Sequence, residues 1–130
     1  MLAHLGYVGT LTIEFFAVGE RLIANEFAPR VHNSGHWTIE GARTSQFENH
    51  LRAILDLPLG DTSPLGSAAM LNLIGEMPVT TARLNTDLSR LHDYGKAPRP
   101  GRKLGHITVV AGNPEERDRE VQRLREMLIP

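Results

Sequence analysis

The sequence predicts an α+β fold, with an antiparallel hairpin and a helix in the first half and a small β-rich unit closed by a helix in the second. Three observations carry this. β-branched and aromatic residues crowd positions 10–18 and 22–28 on either side of a Gly19-Glu20 turn signal. Apolar residues recur at helical spacing after Ser45. An apolar run over Lys103–Ala111 leads into Asn113-Pro114, a helix-start signal.

The hairpin comes first, and side-chain alternation suggests its register. If Glu14 faces Glu26, then Leu11, Ile13 and Phe15 share an apolar face with Ile23 and Phe27. Thr12, Glu14, Phe16, Ala24 and Glu26 fall on the opposite face. This register needs a three-residue loop or a bulge at Gly19. Residues 28–36 then read as a polar loop carrying Arg30, His32, Asn33, Ser34 and His36. Ser45 and Glu48 stand at capping-box spacing, and Phe47, Leu51, Ile54 and Leu55 continue as a helix over residues 46–56, ended by Pro58 and Gly60. Residues 60–66 place Asp61, Thr62, Ser63 and Pro64 between two glycines. The expected domain boundary lies there, giving units 1–60 and 61–130.

In the second unit, residues 68–74 read as a buried strand, and residues 80–94 are open between a short helix and a strand. Residues 98–105 form a basic turn and Lys103–Ala111 a strand. The closing helix presents Val121, Leu124 and Leu128 as one apolar stripe. Composition agrees with a folded chain: 130 residues, 41% apolar and 22% charged, are outside the disordered range. A net charge of -1 offers no general attraction to nucleic acid or an anionic membrane. The absence of cysteine excludes disulfides and thiolate chemistry and fits a cytoplasmic setting. No segment approaches the roughly 20 apolar residues of a membrane span, and the opening residues lack a targeting pattern.

Two places could carry chemistry. Like charges directly opposite in a sheet repel, so a Glu14–Glu26 pair is costly unless a divalent cation lies between them. Taken alone, a solvated sheet face is the favoured reading by about two to one. The adjoining loop shifts that balance, because Arg30 offers a planar fork for phosphate or carboxylate and His32 and Asn33 follow it directly. The second place is the turn bearing Lys96, Arg99, Arg102 and Lys103, which holds both lysines of the chain. It reads equally well as an anion site or as a solvated basic loop. His4, His50 and His92 are assigned no role, and Trp37 and the four methionines read as packing.

The string Asn25-Glu26-Phe27-Ala28-Pro29-Arg30-Val31-His32-Asn33-Ser34-Gly35-His36-Trp37-Thr38 resembles the C-terminal part of the ATP-grasp domain in the 5-(carboxyamino)imidazole ribonucleotide synthase family. The similarity continues through Thr44-Ser45-Gln46-Phe47-Glu48, Leu57-Pro58-Leu59-Gly60, Asn72-Leu73-Ile74-Gly75 and Arg99-Pro100-Gly101-Arg102-Lys103-Leu104-Gly105-His106. It implies an ATP-grasp hairpin and helix followed by a C-terminal domain of the rudiment single hybrid motif type. It also implies an enzyme that phosphorylates bicarbonate with ATP and passes the carboxyl group of carboxyphosphate to 5-aminoimidazole ribonucleotide. By this resemblance Glu14 and Glu26 are ligands of Mg2+, with Mn2+ as a substitute, and Asn25 and Glu26 contact ATP. Arg30 and His32 are catalytic and, with Asn33, line the substrate. Lys96 and Arg102 hold the ribonucleotide's phosphate, and members are typically homodimers.

Two departures from the family are visible. No lysine precedes Lys96, whereas the family sets lysines on the ATP phosphates, and residues 75–91 are short and polar. The expectation is therefore of the enzyme's C-terminal part, unable to turn over ATP alone. Another ATP-grasp ligase, such as a formate-dependent glycinamide ribonucleotide transformylase, and a non-catalytic assembly module are the competing readings.

Overall fold

A computed structural model describes residues 2–79 and 81–128 of the chain. After a short helix α1 (Leu2–Leu5), strands β1 (Thr12–Val18) and β2 (Arg21–Ala28) form the hairpin, and Glu14 pairs with Glu26 as the alternation predicts. The turn differs. Val18 pairs with Arg21, so only Gly19 and Glu20 form the loop, and Gly19 takes the left-handed φ of +59° that a glycine accommodates without a Cβ clash. The extra residue sits at Asn25 instead, where the register shifts and Phe15 pairs with Ala24. A two-residue loop suits the twist of the strands, and a bulge further down absorbs the odd residue.

This corrects the predicted faces. Phe15 and Ala24 lie with Ile13 and Phe27, whereas Ile23 stands opposite Phe16 on the carboxylate face. Apolar side chains thus occupy both faces, and Phe15, Phe16, Ile23 and Phe27 are 45–56% exposed. The apolar surface expected of the hairpin is split and uncovered. Its base is fixed to the rest of the unit: the Tyr7 hydroxyl donates to the Pro29 carbonyl at 2.8 Å, and the Thr10 amide donates to His50 Nδ1 at 2.9 Å.

The polar loop tightens into a 3-10 turn (Asn33–Gly35) and a single-turn helix α2 (Thr38–Gly41) before α3 (Gln46–Ile54). The Ser45 hydroxyl accepts the Glu48 amide at 3.1 Å, which is the predicted cap. The helix ends two residues short of the expected 56, because Asp56 turns to φ +54° and the Leu57 amide reaches back to the Arg52 carbonyl at 2.8 Å. The expected boundary segment folds back on this unit. The Arg43 amide donates to Ser63 at 3.0 Å and the Leu65 amide to Gly41 at 2.9 Å.

Strands β3 (Ser67–Ile74), β4 (Ser89–Asp93) and β5 (Lys103–Ala111) form an antiparallel sheet in the order β3-β5-β4, closed by α4 (Pro114–Leu128). Residues 80–94 therefore end as a strand after a 3-10 turn at Ala82–Leu84, while Thr80 lies outside the described residues. As the central strand, β5 is covered on both faces. Ile107 and Val109 pack with Leu73, Leu84 and the helix residue Leu124, and Val121 and Leu128 flank them as the stripe predicts. His106 and Thr108 point the other way, where α2 lies, and are 1% exposed. Asn113 caps α4 by accepting the Glu116 amide at 2.9 Å. Among the described residues no helix is long and apolar enough to cross a membrane.

Candidate functional site

The paired strands set Glu14 and Glu26 side by side on one face. Cross-strand Cβ atoms are about 5 Å apart in such pairs, so the carboxylates repel each other unless compensated. Compensation comes from three directions. Asn25 Nδ2 donates to Glu14 Oε2 at 2.8 Å, Arg30 Nη2 lies 3.5 Å from Glu26 Oε1, and His32 Nε2 lies 3.7 Å from Glu26 Oε2. The bulge at Asn25 turns this amide toward Glu14. Glu26 is exposed and Glu14 half-buried, so both oxygen sets remain open to a ligand.

His32, by contrast, is buried, and its tautomer follows from its neighbours. The Ser34 amide donates to Nδ1 at 3.3 Å, which leaves the ring proton on Nε2, facing Glu26. Gln46 locks the same residue from the start of α3: its Oε1 accepts the His32 amide at 3.0 Å, and its Nε2 donates to the His32 carbonyl at 2.7 Å. Sequence reasoning gave Gln46 no role, although its position right after the cap residue Ser45 directs it to the loop. Arg30, His32 and Asn33 thus emerge from one rigid turn beside the carboxylates.

Asn33 joins this turn to the second unit. Its Nδ2 donates to Asn72 Oδ1 on β3 at 2.8 Å, and Lys103 Nζ donates to its Oδ1 at 3.0 Å. Of the basic turn, then, Lys103 reaches the loop. Lys96 lies with its ammonium 5.2 Å from the centre of the Tyr94 ring, and Arg102 Nη1 donates to the Ala97 carbonyl at 3.2 Å. Lys96 is exposed and Arg102 half-buried on the turn.

Beneath the loop lies a cluster that the sequence did not reveal. His92 and His106 stack with ring centres 4.5 Å apart, and His36 stands 5.6 Å from His106. His92 Nε2 meets Glu40 Oε1 at 2.6 Å, and the Tyr94 hydroxyl meets His106 Nδ1 at 2.8 Å. Burial, reinforced by His92 and His36, pushes His106 down to about 4; burial also lowers His36, with His32 adding to the effect. Burial raises the Tyr94 phenol, and the polar Asn33 side chain opposes the shift. These residues come from positions 36, 92, 94 and 106, too far apart in sequence for a local spacing signal.

Hard cations take oxygen ligands, and magnesium commonly combines one or two carboxylates with substrate phosphates and water. Glu14 and Glu26 fit that pattern. Among the described residues, no group of three or more histidine or acidic side chains could hold a metal by itself.

The ATP-grasp domain family matches residues 1–47, and the phosphoribosylaminoimidazole carboxylase C-terminal domain family matches residues 68–120. The chain is 59% identical over 109 residues to the N5-carboxyaminoimidazole ribonucleotide synthase of Pseudomonas aeruginosa, covering 84% of this chain and 30% of the relative. The crystal structure of N5-carboxyaminoimidazole ribonucleotide synthetase from Thermus thermophilus superposes with a TM-score of 0.90 at 56% identity, over 99% of this chain and 36% of that one. The N5-carboxyaminoimidazole synthase of Aspergillus clavatus, in complex with ADP and 5-aminoimidazole ribonucleotide, matches with a TM-score of 0.81 at 41% identity, over 92% and 34%. The chain therefore spans about a third of the length of the proteins it matches.

Proposed function

Because the chain is homologous to the C-terminal third of N5-carboxyaminoimidazole ribonucleotide synthases, ATP-grasp enzymes of purine biosynthesis, we propose that it supplies the metal- and substrate-holding end of such a site. The reaction joins bicarbonate to 5-aminoimidazole ribonucleotide through carboxyphosphate at the expense of ATP. The observation that supports this most is the convergence of Arg30 and His32 on the Glu14–Glu26 pair. Acidic oxygens, a guanidinium and an imidazole N–H donor meet on one exposed face, as a phosphoryl group and its counter-ion require.

In this reading Glu14 and Glu26 hold Mg2+, or Mn2+ in its place, which when bound screens the charge on the transferring phosphoryl oxygens. Asn25 and Glu26 orient ATP. Arg30 neutralises the reacting phosphate and carboxyl oxygens, and His32 presents its Nε2 proton to them. Both leave Glu26 for the substrate, an exchange that distances of 3.5 and 3.7 Å make inexpensive, since neither is a tight hydrogen bond. Asn33 faces the ribonucleotide, and Lys96 and Arg102 take its phosphate, for which Arg102 must release Ala97. We assign residues 1–60 to the ATP-grasp part and 61–130 to the C-terminal domain, acting in the cytoplasm within a homodimer.

Calorimetric titration with Mg2+ and ATP, and separately with 5-aminoimidazole ribonucleotide, tests this. We expect binding without turnover, and Glu26→Gln should weaken Mg2+-dependent ATP binding about tenfold or more. Absence of binding by either ligand defeats the proposal. Bicarbonate-dependent ATP hydrolysis by the chain alone would contradict the expectation that it lacks turnover.

A further inference from the structure

The Gln46 carboxamide lies against the His32 backbone, and its partners leave it a single orientation. The His32 amide only donates, so the atom 3.0 Å from it is Oε1; the His32 carbonyl only accepts, so the atom 2.7 Å from it is Nε2. That assignment propagates to a third residue. Nε2 also lies 2.7 Å from His36 Nδ1, and an amide nitrogen only donates, so Nδ1 must accept and the His36 proton sits on Nε2 of its ring. Both protons of the Gln46 amide are thereby used. Gly35 leaves the space for this arrangement, since a Cβ there would stand 2.7 Å from Gln46 Oε1. Thr38 fixes the Gln46 backbone, its hydroxyl accepting the Gln46 amide at 3.0 Å while it donates to the Gly35 carbonyl. The His36 ring is set between Phe47 of α3, with centres 5.1 Å apart, and His106 of β5 at 5.6 Å.

We propose that Gln46 and His36 are positioning residues for His32. Gln46 holds both backbone groups of His32, and His36, accepting at Nδ1, keeps the carboxamide from turning over. A turned carboxamide sets oxygen against the His32 carbonyl and nitrogen against the His32 amide. The effect reaches the candidate site because the clamped residue is the one whose Nε2 lies 3.7 Å from Glu26. The consequence for ribonucleotide binding rests on His32 contacting that substrate, whereas the positioning itself does not.

The arrangement requires a neutral His36, because a protonated Nδ1 is a donor facing a donor. Burial favours the neutral form, and the charge of Lys103, with those that His32 and His92 acquire on protonation, opposes a further proton. Of its ring neighbours, Phe47 carries no charge, and His106 and Tyr94 offer no negative one; Glu40 of α2 is engaged with His92.

Nuclear magnetic resonance of the 15N-labelled full chain tests this, reading the protonation of the His36 ring and hydrogen exchange at the His32 backbone amide. In the unaltered chain His36 should be protonated at Nε2 and bare at Nδ1. Gln46→Glu, which sets an oxygen against Nδ1, should draw a proton onto it, and Gln46→Leu should speed exchange of the His32 amide about tenfold. His36→Asn, which keeps an acceptor near the place of Nδ1, should leave that amide protected, whereas His36→Leu should speed its exchange about three- to fivefold. A histidine that served only to fill space would favour leucine over asparagine. A proton on Nδ1 in the unaltered chain, or a His32 amide that exchanges equally in His36→Leu and His36→Asn, would overturn the proposal. The first reading needs no variant, so it decides alone should the substitutions fail to fold. Gln46→Leu should also lower affinity for 5-aminoimidazole ribonucleotide about three- to tenfold. If no form binds that nucleotide while the resonances respond as described, the positioning stands and the substrate reading of His32 falls.

Discussion

At the scale of single residues, the buried histidine has a consequence for stability. An unfolded histidine takes up its proton near pH 6.5, but His106 in the folded chain resists until about 4. Above 6.5 neither state holds the proton, and the full stability stands. As pH falls from about 6.5 to about 4, the unfolded chain gains a proton that the folded one refuses. Stability should drop by about 1.4 kcal/mol per unit, on the order of 3 kcal/mol in all. Urea unfolding of the chain and of His106→Asn across this range checks it: the slope attributable to His106 should vanish in the variant. Little of this was legible in the sequence. Glu14, Glu26, Arg30, His32 and Asn33 stand within 20 positions, and alternation brought the carboxylates together correctly. His92 was assigned no role because nothing near it in sequence announces His106 or Glu40.

At the scale of elements, strand β5 and its neighbours leave no room for error. A Cβ at Gly105 would collide with the backbone carbonyl of His92, the residue that stacks on His106. Gly105→Ala should therefore push β4 away from β5 and cost about 1–3 kcal/mol, read as a lower urea midpoint. It should also loosen the contact between His92 and Glu40, visible in the His92 ring resonances. Strand β5 and the caps of α3 and α4 could be read from local patterns, since Ser45 and Asn113 act within a few residues. The hairpin's bulge could not. Glu14 opposite Glu26 is compatible with an extra residue at Gly19 or at Asn25, and the choice depends on turn geometry, which side-chain alternation does not encode. Residues 80–94 were ambiguous for a different reason. Strand β4 has only five residues, and one of its inward positions is the small polar Ser89, held by Glu120 of α4 at 3.0 Å.

At the scale of the whole molecule, the two halves differ in how far they bury their apolar residues. The second half closes around Leu73, Leu84, Ile107, Val109 and Leu124, while the hairpin and the outer side of α3 leave Phe16, Leu22, Leu51 and Leu55 more than half exposed. Such a surface drives association. Replacing Phe15 and Phe27 by lysine should leave the unfolding midpoint nearly unchanged, within about 0.5 kcal/mol per site, because these side chains already face water. Sedimentation at rising concentration should show the variant less associated than the unaltered chain. Equal association of the two would place the contact elsewhere.

The bond from Lys103 to Asn33 also imposes an order on synthesis. Its partners are 70 residues apart, so a ribosome moving at about 5–20 residues per second delivers the lysine roughly 4–14 s after the asparagine. During that interval the Arg30–Asn33 turn has Gln46 to shape it and then Asn72 to accept from the Asn33 amide nitrogen, but nothing to donate to the amide oxygen. The nascent loop gains its final geometry only when β5 arrives, so the last strand of the sheet completes the arrangement that the first hairpin begins.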